Sequence, residues 1–252
     1  MFGPGLTDRR ITDGIRTLCK IITTRIIKTN LDSVQNIIKE EAENQPTTDA
    51  KDRLRSNGPQ DIFRIVNETF KVLSHCNYKE LAIALLDIAK STLLNYQEGL
   101  NYIIEECKLS MNQLGAFCNN TMTYMQNTKE FLEQVANFGL LDENVISENF
   151  DEETINKGFV DVSKKAYETI AEEQFCTLRE EWRNKPFLSI DLRLAIEDRL
   201  QEVQIVTEKI HNNYITKIEL ACLEKITAYY IQNFLKNSER RMFRKEDVRV
   251  YY

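Results

Sequence analysis

The chain has 252 residues, with 33 Lys and Arg against 39 Asp and Glu, a formal net charge of −6. Its 8 glycines and 4 prolines are too few for the tight turns of a sandwich, barrel or propeller. The mild acidity gives no overall pull toward nucleic acid or anionic lipid, and no apolar run approaches the ~20 residues of a membrane-spanning helix.

A first helix is predicted over residues 13–44, with Asp13 as its cap. Residues 45–59 are the most polar stretch and read as a loop, followed by a shorter helix over 60–76. Over 78–107 the apolar positions Leu85, Ala89, Leu93, Tyr96, Leu100, Ile103 and Cys107 step by three or four, a helical stripe. Leu114, Phe117, Thr121, Tyr124, Thr128, Phe131, Val135 and Phe138 repeat the period, so these two helices are expected to form an antiparallel hairpin turning near 109–111. Residues 141–150 read as a connector, with Gly139 and Gly158 as helix-end residues.

Asp151, Glu152 and Glu153 place negative charge at the positive end of a helix. It is expected to run to about residue 184, with Phe159, Val162, Ala166, Ile170, Phe175, Leu178 and Trp182 inward and Pro186 as its break. Two more helices are predicted. One spans 191–211, with Leu192, Ile196, Val203, Val206 and Ile210 inward; the other spans 212–236, with Ile215, Ile218, Cys222, Ile226, Tyr229 and Leu235 inward. No strand is expected. The fold class is therefore all-α, antiparallel bundles of long amphipathic helices, which in series make one globule or a stacked rod. The expected organisation is an N-terminal helix and polar loop (1–59), a bundle with a central hairpin (60–150), a C-terminal bundle (151–238) and a basic tail (239–252).

The start of the chain lacks the basic-then-apolar order of a signal peptide, so a cytoplasmic setting is expected. The six cysteines, Cys19, Cys76, Cys107, Cys118, Cys176 and Cys222, form no CxxC pair and read as small buried hydrophobes. The sequons at Asn67 and Asn119 are then chance matches.

Reaction chemistry is poorly supplied. His75 and His211 are the two histidines. Glu208 and His211 match the Glu-x-x-His element of di-iron bundles, but that site needs a second such element and two further inward glutamates; Val72 stands where His75 would need its glutamate. No glycine-rich phosphate loop occurs. The pairs Glu105-Glu106, Glu152-Glu153 and Glu172-Glu173 are adjacent, and adjacent side chains on a helix do not face each other. The expectation is a protein without catalysis, cofactor or metal. Tyr229-Tyr230 reads as packing, since no basic groove accompanies it.

Two elements carry a resemblance. Phe117-Cys118-Asn119-Asn120-Thr121 falls mid-helix after a helix containing Leu93-Leu94-Asn95-Tyr96-Gln97-Glu98-Gly99-Leu100. Further on, Gly158-Phe159-Val160 begins a long helix, and a later helix carries Ala221-Cys222-Leu223-Glu224-Lys225-Ile226-Thr227-Ala228-Tyr229-Tyr230-Ile231 before a basic stretch. Over roughly residues 60–245 the chain resembles the C-terminal region of the exocyst complex component 3 family, within the helical-rod vesicle-tethering proteins. The resemblance implies a stacked helical rod and a non-catalytic exocyst subunit that tethers secretory vesicles to the plasma membrane. Its implied partners are the other exocyst subunits and SNARE proteins, not nucleic acid. A helical scaffold or adaptor unrelated to exocytosis is the alternative.

Two sets of residues stand out as candidates. Arg240, Arg241, Arg244, Lys245 and Arg249, with Phe243 among them, reverse the sign of an acidic chain and suit an acidic partner surface or an anionic membrane. Asn120, three residues past Phe117, is expected to be a buried structural polar group bonded across to a neighbouring helix or loop.

Overall fold

A computed structural model describes residues 4–74, 78–182 and 207–239, with single positions at 198, 201 and 204. Helix α1 (Pro4–Glu43) begins well before Asp13, which lies inside it and accepts the Thr17 hydroxyl through its carbonyl oxygen at 2.8 Å. The polar stretch after α1 is not all loop. It holds a two-residue antiparallel ladder, β1 (Thr47–Thr48) with β2 (Leu54–Arg55). Its turn is fixed by Asp49, whose Oδ1 accepts the backbone N–H of Lys51 and Arg53.

Helix α2 (Gly58–Lys71) has Pro59 in its first turn, with Asp61 at its positive end and Lys71 at its negative end, the favourable polarity. A 3₁₀ turn, Val72–Ser74, follows. The predicted helix end at 76 and His75 lie outside the described residues. Helices α3 (Lys79–Glu106) and α4 (Met111–Asn137) run close to the predicted bounds. A capping box starts α4: Ser110 Oγ accepts the Gln113 N–H at 3.3 Å, and Gln113 Oε1 accepts the Ser110 N–H at 2.9 Å. Gly139, at φ +68°, stops it in the left-handed region that an L side chain enters at a cost.

The expected connector contains a short helix, α5 (Glu143–Asn149). Helix α6 (Glu152–Trp182) is started by Asp151, whose Oδ1 accepts the N–H of Glu153 at 3.1 Å and of Thr154 at 3.2 Å. Gly158 is not at a helix end. It lies inside α6, where an added Cβ would collide with Gln97 Oε1. The predicted helix over 191–211 lies largely outside the described residues. Helix α7 (Asn212–Glu239) closes the described chain.

The chain folds as two compact units, neither of them one continuous stretch. The first comprises Met1–Gln45, Ser56–Lys108 and Asn120–Val162. Its core stacks Tyr124 on Phe159 with ring centroids 4.1 Å apart, and Phe131 lies between Phe70 and Phe150 at 5.6 Å from each. The second comprises Pro46–Arg55, Leu109–Asn119 and Ser163–Tyr252. There Phe175 meets Tyr229 edge to face at 5.7 Å, Lys217 lies over the rings of Tyr167 and Tyr214, and Lys225 pairs with Glu172.

Among the described residues most stripe positions are buried, with exceptions at helix ends. Cys107 follows the last residue of α3 and is exposed, as is Phe138 beyond α4. Leu235 is 54% exposed although it continues the α7 stripe. Period gives the face of a helix but not how far along that face anything packs. For the same reason the described cysteines divide: Cys118 and Cys222 are buried, Cys19 and Cys176 are half-buried, and Cys107 is exposed, while Cys76 lies outside the described residues.

Candidate interaction surfaces and their buried supports

Asn119 is a multiply bonded amide of the second unit. It lies on α4, 3% exposed. Its Nδ2 donates to the carbonyl oxygens of Leu54 (3.0 Å) and Lys209 (2.9 Å), and its Oδ1 accepts the His211 N–H at 2.7 Å. Its own carbonyl accepts the Arg55 guanidinium. The Leu54 N–H donates to Lys209 at 3.0 Å. One side chain thus joins the β-hairpin, α4 and the entry to α7, satisfying groups that burial would otherwise leave orphaned. The buried amide expected from the sequence is Asn120, three residues past Phe117; Asn119 is not singled out. The available signal was an asparagine pair in mid-helix, where asparagine has poor intrinsic propensity and needs a tertiary reason.

Asn120 belongs to the first unit and is 1% exposed. Its Nδ2 donates to Ser56 Oγ at 2.7 Å, and its side chain also bonds the Tyr124 hydroxyl. The Tyr124 and Tyr96 hydroxyls are 2.9 Å apart, and both rings are fully buried. Glu41 of α1 completes this polar seam and is 6% exposed. Burial pushes its carboxyl up to about 7, against the hydrogen bonds from Ser56 and from the Gly58 N–H that favour the charged form. A second seam joins α1, α2 and α3: Asn30 Nδ2 donates to Thr69 Oγ1 at 3.0 Å and to Thr92 Oγ1 at 3.2 Å.

Two surfaces of the first unit are distinctive. The N-terminal half of α1 exposes Ile11, Leu18, Ile21 and Ile27 among Arg16, Lys20, Arg25 and Lys28. An open groove of about 500 Å³ lies where the end of α4, α5 and the start of α6 meet. Leu132, Ala136, Ile146 and Phe150 line it with Glu133, Glu143, Asp151, Glu152 and Glu153, and among the described residues Lys129 is its only basic side chain.

The basic set Arg240, Arg241, Phe243, Arg244, Lys245 and Arg249 lies outside the described residues. Glu208 is exposed and His211 half-buried; burial and then Arg53 and Arg55 hold the His211 imidazole below its ordinary range. Among the described residues no three His, Cys, Asp or Glu side chains are grouped to hold a metal ion, and no helix is long and apolar enough to cross a membrane.

Long helices fixed by buried amides, with apolar and charged faces left exposed, define an all-α helical-bundle protein. Residues 2–183 match the family model of exocyst complex component Sec6. That is more than half of the chain, which belongs to the Sec6 exocyst component family. The match includes the N-terminal region, where no likeness was expected, and stops before the α7 motif that carried part of the resemblance. The chain is also similar to the crystal structure of the C-terminal domain of the exocyst subunit Sec6p, with a TM-score of 0.67 at 11% identity. That likeness covers 86% of this chain and 61% of the solved one, and at such identity it concerns the fold alone. No curated protein matches the chain.

Proposed function

We propose that the chain works as a non-catalytic subunit of the exocyst, as exocyst complex component 3. In this role it contributes helical faces to the contacts that tether secretory vesicles to the plasma membrane. The family match over residues 2–183 carries this reading. The exposed apolar and charged faces on α1 and on the α4–α6 groove suit it, because helices that bury one face and expose another supply docking surfaces for further helices. Its partners are the other exocyst subunits and SNARE proteins, and it acts in the cytoplasm at sites of exocytosis. The basic set from Arg240 to Arg249 docks on an acidic partner or on anionic headgroups, each basic residue contributing about 1 kcal/mol near a charged bilayer.

Affinity purification of the tagged chain tests the reading. Exocyst subunits should co-purify in stoichiometric amounts, and their consistent absence would leave a scaffold unrelated to exocytosis. Replacing Arg240, Arg241, Arg244 and Lys245 by Glu should abolish pelleting with anionic liposomes, or capture of a sister subunit, at an unchanged melting temperature. Survival of both associations would dismiss the basic set as a docking strip.

A further inference from the structure

The groove between α4, α5 and α6 has an electrostatic character that the fold does not require. From Leu140 to Ile155 the chain carries Asp142, Glu143, Glu148, Asp151, Glu152 and Glu153 and no basic residue. Part of this is local structure. Asp151 caps α6, and Glu152 and Glu153 meet the positive end of its dipole. Asp142 is 3.7 Å from Lys79.

Glu133 is different. It lies in the last turns of α4, where the helix dipole is negative and a carboxylate is unfavourable, and no basic residue occupies that last turn. Its contact with Lys129, at 3.9 Å between two exposed side chains, contributes little. Glu133 faces the same groove as Glu143 and Glu153. Helix stability alone would select a lysine there.

Beneath this acidic rim the floor is apolar, built from Leu132, Ala136, Ile146 and Phe150. Ile146 and Phe150 are anchored in the core. An apolar floor with a carboxylate rim excludes two occupants on charge. An anionic bilayer is repelled, and so is an acidic helix. A partner presenting aliphatic side chains at i, i+3, i+4 and i+7, flanked by Lys or Arg, satisfies both features: its apolar face fills the floor while its cations meet the rim. Rim charge of this kind speeds encounter and rejects partners of like sign.

We propose that the groove formed by α4, α5 and α6 is a docking site for a basic amphipathic helix of a partner protein. The inference does not depend on exocyst membership, since it rests on the lining of the groove alone.

The test uses the full chain and a synthetic amphipathic peptide of leucine and lysine with helical spacing. Controls are the leucine–glutamate counterpart and a scrambled leucine–lysine peptide without an apolar face. The amphipathic basic peptide should bind by fluorescence anisotropy and protect residues 129–153 from amide hydrogen exchange. The glutamate and scrambled peptides should not bind. The triple variant Glu133→Gln, Glu143→Gln and Glu153→Gln should weaken binding by about tenfold or more while melting no lower than wild type. Ala136→Trp, which fills the floor and keeps the charge, should weaken it comparably.

Failure of the basic peptide to bind, protection elsewhere on the chain, or unchanged affinity in both variants would each overturn the proposal. Equal binding of the acidic peptide, or adsorption of anionic vesicles through this groove, would do the same.

Discussion

The side-chain oxygen of Asn119 accepts the backbone N–H of His211 at 2.7 Å, across 92 positions of sequence. The same amide donates both its hydrogens to the carbonyls of Leu54 and Lys209. No aliphatic side chain can replace it, because the Leu54 carbonyl and the His211 N–H would lose this partner, while the Lys209 carbonyl would keep only the Leu54 N–H. Asn119→Ala should lower unfolding free energy by about 2–4 kcal/mol, since each buried group left unpaired costs about 1–3 kcal/mol and solvent recovers some of that. Urea denaturation checks this, and a loss below about 1 kcal/mol would mean that water replaces the amide without penalty. Asn119→Asp should be worse than Ala, because it sets a carboxylate oxygen against two carbonyl oxygens.

Asn120 makes fewer bonds although it is equally buried. Its Nδ2 holds Ser56, while its Oδ1 has no hydrogen-bond partner. Asn120→Ala should therefore cost about 1–2 kcal/mol, less than the neighbouring substitution. Melting curves of the two variants side by side decide the order, and an unchanged curve for Asn120→Ala would remove its structural role.

Glu41 makes stability depend on pH in an unusual direction. An ordinary glutamate titrates at 4.5, and burial moves this one to about 7. The folded state therefore binds its proton more tightly than the unfolded state. Its contribution is fully present below pH 4.5, is lost as pH rises toward 7, and is absent above that. Glu41→Gln keeps an acceptor for Ser56 and for the Gly58 N–H without the ionisation. The variant should match wild type at low pH and exceed it above neutrality by about 3 kcal/mol. A constant difference from pH 4 to pH 8 would show that Glu41 does not titrate in that range.

Gly158 reverses the usual rule for a glycine inside a helix. Replacement by alanine normally gains about 1 kcal/mol. Here the new Cβ meets Gln97 Oε1, and Gln97 cannot withdraw freely because its Nε2 donates to the Ile155 carbonyl at 2.8 Å. Gly158→Ala should destabilise by about 1–3 kcal/mol. In a double-mutant cycle Gln97→Ala should relieve much of that loss, and strict additivity would show that the two positions do not interact.

The thiols should react in the order of their exposure. Cys107 is exposed, whereas burial pushes Cys118 up to about 12 and Cys222 up to about 11. A disulfide reagent at pH 8 should label Cys107 in the folded protein and reach Cys118 and Cys222 only on unfolding. Peptide mapping of the early product checks the assignment.

The sequence by itself determined that the protein is helical and which faces pack. The period of Leu85, Ala89, Leu93, Tyr96 and Leu100, or of Phe159, Val162, Ala166 and Ile170, records burial directly, because a stripe must be apolar wherever it meets another element. The sparse glycine and proline and the mid-helix asparagine pair were legible for the same local reason. What only the tertiary structure decided depends on residues far apart in the chain. The partners of Asn119, the meeting of Glu41 with Ser56, and the closeness of Gly158 to Gln97 follow from which helices pack, and periodicity does not encode that. The groove lined by Glu133, Glu143 and Glu153 is of this kind too. Its carboxylates come from three helices, each reading as an ordinary solvated face until packing sets them around one apolar floor.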